Sequence, residues 1–131
     1  MAKESVLIIE DNLGASVLLK SVIKQAGFDF DFTVSESSSE ALNILKKANE
    51  DQPGLIFLDL NLPIKNGWYF LEKLEELGIH LKSKIIVLTT SINQDDLLRA
   101  RTYDQIVGYF NKPITFKKIK RILTQLYDTI E

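Results

Sequence analysis

Hydrophobic and polar positions follow two different patterns along this chain. Continuous apolar runs at 6–9, 55–58 and 85–88 are typical of strands buried on both faces of a sheet, and a further run covers 106–110. Residues 28–35 instead carry phenylalanine or valine at every second position. A period of two indicates a half-exposed strand at the sheet edge. The pattern therefore predicts five strands.

Helical periodicity occupies the segments between and after these strands. It predicts helices at 13–26, 38–49, 67–78 and 93–102, and from 115 to about 130. The residues expected to pack are Leu13, Val17, Leu18, Val22 and Ala26 on the first helix, Ala41, Leu42, Leu45 and Ala48 on the second, Phe70, Leu71, Leu74 and Leu77 on the third, and Phe116, Ile119, Leu123, Leu126 and Ile130 on the last. Trp68 is expected to pack against the sheet. The fourth helix has only Leu97 and Leu98 as main apolar anchors, so it is expected to be loosely held.

A regular alternation of strand and helix with right-handed crossovers predicts an α/β fold. The expected architecture is a flavodoxin-like three-layer sandwich, with a five-stranded parallel sheet in order 2-1-3-4-5 and five helices. The edge character of 28–35 favours this order. With 131 residues and 45% hydrophobic composition, the chain is expected to form one domain over 1–131.

Composition narrows the functional classes. A net charge of −2 is not the basic footprint of a nucleic-acid binder, and the lysines and arginine at 117–121 are expected to form a solvated helix face. The chain has no cysteine and only one histidine, His80, which argues against disulfides and against a zinc cluster. No stretch approaches the ~20 apolar residues that span a bilayer, and no signal peptide is recognised. A cytoplasmic protein is expected.

Polar residues stand at the carboxyl ends of four predicted strands. They are Glu10 and Asp11, Asp59, Thr89, and Lys112 with Pro113. Carboxyl ends of parallel strands share one edge, which is where ligands bind in open α/β sheets. Three carboxylates, a hydroxyl and an ammonium group are therefore expected to converge.

Each of these residues alone has a simpler explanation. Asp11 or Asn12 could cap the first helix, and Asp59 could start a turn. The pair Asp59 and Asn61 also suggests a calcium loop, but Pro63, Ile64 and Phe70 stand where that loop needs an oxygen ligand, a glycine and a glutamate. Together, three neighbouring carboxylates repel one another, and Mg²⁺ would compensate them.

With Mg²⁺ present, Lys112 and Thr89 could hold phosphoryl oxygens, and Asp59 is then the candidate nucleophile. The six glycines are isolated, so no glycine-rich loop is available to bind a nucleotide phosphate.

The order and spacing of these motifs resemble the receiver domain of two-component response regulators. The matching segments are 7–12 with its acidic pair, 59–67, Thr89 thirty positions after Asp59, and 108–113. The residues at 59–63 and 89–93 are similar to those of stand-alone, single-domain receivers, in the branch that includes phytochrome-associated regulators.

The resemblance implies a role for each matching residue. Asp59 would be the phosphoacceptor. The Mg²⁺ ligands would be Asp11, Asp59, the Asn61 backbone carbonyl and, through water, Glu10. Thr89 and Lys112 would sense the phosphoryl group, and Tyr109 would be an aromatic switch that turns inward as Thr89 moves. The resemblance also implies a cis peptide between Lys112 and Pro113.

The implied function is that of a phosphoacceptor signalling protein without an output domain. It would take its phosphoryl group from a sensor histidine kinase or phosphotransfer protein, and lose it by autodephosphorylation, without acting on an external metabolite. The surface of the fourth helix, fifth strand and fifth helix would then control a downstream protein partner, and a homodimer through the same face stays open. Neither nucleic acid nor membrane is an expected partner.

Three alternatives stay open at this point. The chain could be a pseudo-receiver that never takes phosphate, a flavodoxin-like redox protein, or a fragment of a larger regulator. The segment 99–106 lacks the Gly-Ala pair common before the last strand of the family, so an unusual shape is expected there.

Overall fold

The computed structural model describes residues 3–48 and 50–127, and places strands and helices in strict alternation. The elements are β1 (Ser5–Ile9), α1 (Leu13–Gln25), β2 (Asp31–Ser35), α2 (Ser38–Ala48), β3 (Leu55–Leu58), α3 (Gly67–Glu76), β4 (Lys84–Thr89), α4 (Gln94–Ala100), β5 (Ile106–Asn111) and α5 (Phe116–Tyr127). All strand pairs are parallel, and the order is β2-β1-β3-β4-β5. The predicted fold class and strand order are confirmed.

Helices cover both faces of the sheet. Alternate residues of β1 point to opposite sides, so Leu7 and Ile9 pack with α2 and α3, whereas Val6 and Ile8 pack with α1 and α5. The inner strands β1, β3 and β4 are buried almost throughout, as their continuous apolar runs predicted. Burial on both faces therefore determines which strands lie in the middle.

The edge strand is shorter than its sequence pattern. β2 begins at Asp31, whose N–H donates to the Glu4 carbonyl at 2.9 Å, and not at residue 28. Phe28 and Phe30 precede the strand, and their ring centroids lie 6.4 and 5.3 Å from that of Tyr127. Their alternation thus comes from an aromatic cluster under α5 and not from strand pairing.

The buried face of α1 differs from the prediction. Leu13, Val17 and Leu18 are exposed, whereas Leu19 and Ile23 face the sheet. The stripe also includes the buried Ser16, whose hydroxyl is satisfied because it donates to the Leu13 carbonyl at 3.0 Å. The helix carries two apolar stripes, and only packing against the sheet and α5 selects between them.

Smaller differences occur at the helix ends. Leu77, Leu98 and Phe116 are exposed, although each was expected to pack. Residues Phe70, Leu71 and Leu74 on α3, and Ile119 and Leu123 on α5, are buried as predicted. Residue 49 and the predicted core residue Ile130 lie outside the described residues. The three misassigned residues lie at the end or on the outer face of a helix, where a shift of one turn changes what a side chain contacts. They are Leu77, Leu98 and Phe116.

The helices are short, and within the part of the chain that the structure describes the longest, α1, has 13 residues. Within 3–48 and 50–127, none has the length and apolar character needed to cross a bilayer.

The orientation of α1 can be tested with two neighbouring leucines. Leu19 is 7% exposed and Leu18 is 57% exposed. We expect Leu19→Ala to lower the free energy of unfolding by about 2–5 kcal/mol, because it leaves a cavity against the sheet. The matched variant Leu18→Ala should cost no more than about 1 kcal/mol. Urea unfolding of both variants measures the difference, and equal losses would contradict the described face of α1.

Candidate functional site

The candidate site lies at the carboxyl edge of the sheet, where hydrogen bonding between strands continues into the polar residues. The Asp59 N–H donates to the Ile9 carbonyl at 3.1 Å, and the Lys112 N–H donates to the Thr89 carbonyl at 2.9 Å. Because β3 lies between β1 and β4, Asp59 stands between the acidic pair and Thr89. The predicted convergence is present in the structure.

Three carboxylates form the centre of this site. Glu10, Asp11 and Asp59 each offer an oxygen, and these oxygens lie within 4.8 Å of one another. Glu10 and Asp59 are only 6% and 5% exposed, whereas Asp11 is exposed. The cluster thus has two buried walls and one side open to solvent.

Asp11 does not cap the first helix. The cap is Asn12, whose Oδ1 accepts from the Ala15 N–H at 2.9 Å, and the Asn12 N–H in turn donates to Glu10 Oε2 at 3.1 Å. Asn12 therefore accounts for the capping alternative, and the Asp11 carboxylate is left to the acidic cluster.

Lys112 joins the two buried carboxylates. Its Nζ donates to Asp59 Oδ2 at 2.9 Å and also to Glu10 Oε1. Burial by itself would lower the pKa of Lys112, but hydrogen bonds to Glu10 and Asp59 and the charges of both carboxylates raise it overall. Lys112 therefore stays charged.

Burial acts in the opposite direction on the glutamate. It raises the pKa of Glu10, and the Asp59 charge adds to this increase, while hydrogen bonds from Lys112 and the Asn12 N–H oppose it. The ionised form of Glu10 consequently depends on the Lys112 ammonium group beside it.

Asn61 connects Asp59 to the end of β4. Its N–H donates to Asp59 Oδ1 at 2.9 Å, and its side-chain Nδ2 donates to Thr89 Oγ1 at 3.1 Å and to Thr90 Oγ1 at 2.7 Å. The sequence analysis assigned only the Asn61 backbone carbonyl to the site. The side-chain contacts depend on the separation of β3 and β4 ends, which no spacing in the sequence reveals.

The loop after Asp59 passes very close to α3. The Gly67 N–H donates to the Leu60 carbonyl at 3.0 Å, and a Cβ at Gly67 would lie 2.9 Å from the Asp59 carbonyl oxygen. Only glycine allows this approach without a backbone shift. At the other side of the site, the peptide bond between Lys112 and Pro113 is cis.

Tyr109 lies on β5 with its ring half-buried against the core of the α3 and α4 side. Among the described residues its hydroxyl has no hydrogen-bond partner, although the oxygen is buried. Burial, and next the charge of Asp96, raise the pKa of Tyr109. The phenol therefore stays protonated.

Three residues that the sequence analysis did not assign to the site connect to it through hydrogen bonds. The Ser91 N–H donates to Thr89 Oγ1 at 3.1 Å, and the Ser91 hydroxyl donates to Asp96 Oδ2 at 2.6 Å. The Trp68 indole N–H donates to Asp96 Oδ1 at 2.9 Å. Their only sequence signal is proximity to Gly67 and Thr89, and the contact between Trp68 and Asp96 joins residues 28 positions apart.

A cavity of about 300 Å³ lies behind the site, between α1 and the sheet. Apolar side chains of α1, β1 and β3 form most of its lining, and Glu10, Asp59 and Lys112 reach it at one end. These low-polarity walls strengthen the attraction between Lys112 and its two carboxylates.

The arrangement can bind a hard cation and a tetrahedral anion side by side. The three carboxylate oxygens lie within 4.8 Å of one another, and small side-chain movements would bring them to the ~4.2 Å that separates opposite ligands of Mg²⁺. The Lys112 ammonium group contacts Asp59 directly, and the Thr89 hydroxyl is connected to Asp59 through Asn61. The acidic cluster therefore fits a metal site.

Comparison with known proteins places this site in a family. Response regulator Rcp1 of Synechocystis is 32% identical over 97 residues, which cover 71% of this chain and 66% of Rcp1. A two-component response regulator from Cytophaga hutchinsonii has the same fold, with a TM-score of 0.83, 23% identity and coverage of 98% of this chain and 99% of that one.

Two further solved structures extend the comparison. The Mn²⁺-bound form of Rcp1 superposes with a TM-score of 0.79 and 27% identity, covering 98% of this chain and 97% of that one. The phosphorylated cyanobacterial phytochrome response regulator RcpA has a TM-score of 0.74 and 26% identity, with 97% and 93% coverage. These similarities agree with the predicted resemblance to phytochrome-associated regulators.

The family model for the response regulator receiver domain matches residues 6–124, which include every residue of the acidic cluster, Thr89 and Lys112. This match covers most of the chain, and it agrees with the strand order and with the site at the carboxyl edge. The chain therefore belongs to the receiver domain family of two-component response regulators.

Proposed function

We propose that this protein takes a phosphoryl group onto Asp59 from a phosphohistidine, in a Mg²⁺-dependent reaction, and thereby controls a protein partner. The observation that carries this proposal is the setting of Asp59. Asp59 is a buried carboxylate that accepts a hydrogen bond from Lys112 and lies beside the carboxylates of Glu10 and Asp11. Asp11 is exposed, so the cluster is open to solvent on that side. A buried structural ion pair would not need the second and third acids.

The ligands of the metal would come from the carboxyl ends of two strands, β1 and β3. Asp11 and Asp59 would bind Mg²⁺ directly, the Asn61 backbone carbonyl would add a third ligand, and Glu10 would act through water. Glu10 suits an indirect role because both of its oxygens already accept hydrogen bonds, from Lys112 and the Asn12 N–H. Bound Mg²⁺ would neutralise charge on the carboxylates and on the phosphoryl oxygens. The Mn²⁺-bound form of the relative Rcp1 supports a divalent cation here.

In the transfer, an oxygen of Asp59 forms a bond to phosphorus while the bond from phosphorus to the donor imidazole nitrogen breaks. Asn61 and Lys112 hold the two Asp59 oxygens before the reaction, so the carboxylate is oriented in advance. Lys112 then compensates negative charge on the transferred group. Attack of water on phosphorus breaks the bond to the Asp59 oxygen, releases inorganic phosphate and returns Asp59 to the carboxylate, and this autodephosphorylation ends the signal.

The response to phosphorylation would begin at Thr89. The new phosphoryl oxygens attract its hydroxyl, which at present accepts from Asn61 and from the Ser91 N–H. Movement of Thr89 leaves space for the half-buried Tyr109 ring, which we propose as the aromatic switch. The change would then reach the surface of α4, β5 and α5, where a downstream protein or a second copy of the chain would bind.

The acceptor can be tested with a small phosphodonor. With Mg²⁺ and acetyl phosphate, the protein should gain the mass of one phosphoryl group, because the donor only needs a metal-activated carboxylate. Asp59→Asn should gain none. Asp51→Asn, which changes an exposed aspartate outside the site, should react like the wild type. Intact-mass spectrometry decides, and an equal gain in Asp59→Asn would exclude Asp59 as the acceptor.

The metal ligands can be tested by titration. Asp11→Ala should weaken Mg²⁺ binding about tenfold or more, because even changes outside the direct ligands cost 10–100-fold. The control Asp29→Ala removes an exposed carboxylate that pairs with Lys3 at 3.3 Å, away from the cluster. Calorimetric titration should show Mg²⁺ affinity unchanged in this control. Wild-type affinity in Asp11→Ala would place the metal elsewhere.

The switch can be tested separately from phosphorylation. Thr89→Ala should still gain a phosphoryl group on Asp59, because the acceptor and acidic cluster are intact. Amide exchange over 89–112 should change with beryllofluoride in the wild type and in the exposed-site control Thr33→Ala, but far less in Thr89→Ala. Equal changes in all three proteins would show that the signal does not pass through Thr89.

A further inference from the structure

A buried polar contact joins α3 to the segment before and within α4. Trp68, at the start of α3, is 7% exposed, and its indole N–H donates to Asp96 Oδ1 at 2.9 Å. The other carboxylate oxygen of Asp96 accepts from the Ser91 hydroxyl at 2.6 Å. We call these three residues the Asp96 latch. Both oxygens of one half-buried carboxylate are thereby used to hold two different segments.

Helix α4 has little apolar burial to hold it in place. Ala100 is its only fully buried residue, and Leu98 is exposed. Around the latch, the Arg99 guanidinium lies 4.4 Å from the Trp68 ring centroid, and the Tyr103 ring stacks on Trp68 with centroids 5.9 Å apart. Asp96 and Arg99 of α4 thus both contact this indole, and Arg99 also pairs with Glu72 on α3.

The latch is connected to the acceptor through Thr89. The Thr89 hydroxyl oxygen accepts from the Ser91 N–H and from Asn61 Nδ2, both at 3.1 Å, and Asn61 also donates to Asp59. If the Thr89 hydroxyl turns to a phosphoryl group, the Ser91 N–H loses its acceptor. Ser91 then shifts, and its hydroxyl no longer holds Asp96.

Tyr109 offers Asp96 another donor. Its buried hydroxyl makes no hydrogen bond of normal geometry among the described residues, but it lies near enough to Asp96 and Ser91 for the first to raise and the second to lower the pKa of the phenol. A carboxylate released by Ser91 can therefore turn toward the tyrosine hydroxyl, and this turn would take Oδ1 away from the Trp68 indole. This exchange makes two arrangements of the same groups available, which a switch requires.

We propose that the Asp96 latch holds α4 against α3 in the unphosphorylated protein and opens when Asp59 is phosphorylated. Trp68 and Asp96 are then positioning residues for the output surface, and opening frees the indole N–H. The inference rests on the proposed function, because it assumes that Asp59 accepts the phosphoryl group. By linkage, if phosphorylation opens the latch, weakening the latch must strengthen binding of a phosphoryl mimic, because more of the free protein is already open.

The first experiment observes the indole directly. Trp68 is the only tryptophan, so ¹⁵N-labelled protein gives a single indole N–H resonance. Without ligand, this proton should exchange slowly with water because it is buried and bonded to Asp96. With Mg²⁺ and beryllofluoride, its resonance should shift and its exchange should become faster. An indole N–H that stays equally protected with the mimic bound would overturn the latch.

The second experiment measures linkage with matched variants. Trp68→Phe keeps an aromatic ring but removes the N–H, and Asp96→Asn leaves one of the two donors without an acceptor. Both should bind beryllofluoride about fivefold more tightly or better, as measured by fluorine NMR. Asp95→Asn removes the same charge from an exposed neighbour and should bind with wild-type affinity. Unchanged affinity in both latch variants would overturn the proposal.

A further comparison separates the latch from the proposed function. Without any mimic, amide exchange over 94–103 should be faster in Trp68→Phe than in the wild type, because the latch holds α4 in the resting protein. Identical exchange would show that the latch holds nothing. If wild-type protein fails to bind beryllofluoride while α4 still loosens in Trp68→Phe, the phosphoacceptor function is wrong, and the coupling of the latch to Asp59 is wrong with it.

Discussion

The ammonium group of Lys112, shared by Glu10 and Asp59, is the interaction on which the site depends. It brings the ends of β1, β3 and β5 to one point and compensates two carboxylates that are both almost fully buried. Removing one partner of a buried ion pair typically costs ~3–5 kcal/mol, because the remaining charge is left without compensation. Asp11 lies outside this pairing, so the acidic cluster keeps a net negative charge on its solvent side. That excess charge attracts a cation.

The hydrogen bonds that Thr89 and Lys112 make within the protein explain how the site can respond to a phosphoryl group. Thr89 and Lys112 have all their present partners inside the protein, namely Asn61, Ser91, Glu10 and Asp59. A phosphoryl group on Asp59 would carry about −1.5 to −2 charges at neutral pH. It would therefore compete with the present partners for the Lys112 ammonium group and the Thr89 hydroxyl. The response is then an exchange of hydrogen-bond partners in a rigid sheet edge. Exchanges of this kind typically contribute ~1–3 kcal/mol, which changes populations without rebuilding the fold.

Helix α4 shows how polar contacts can take the place of apolar burial. Its sequence predicted a loosely held helix, and its low burial agrees. The structure adds Asp96, which accepts hydrogen bonds from Trp68 and Ser91, and Arg99, which covers the Trp68 ring and pairs with Glu72. Hydrogen bonds are directional, so a group of them can change partners together when one partner moves. A packed apolar face, by contrast, can leave its neighbour only by exposing apolar surface to water.

The sequence alone determined the fold class, the strand order and the convergence of Glu10, Asp59, Thr89 and Lys112, because each depends on local periodicity and on the rule that parallel strands share a carboxyl edge. Only the tertiary structure decided which stripe of α1 is buried, where β2 begins, and how Asn61, Ser91, Asp96 and Trp68 are connected. A helix with two apolar stripes has no local preference between them, and the choice depends on the surface it packs against. Likewise, a hydrogen bond between side chains far apart in the chain depends on distances between elements, which are set by how the core packs and leave no periodic trace in the sequence.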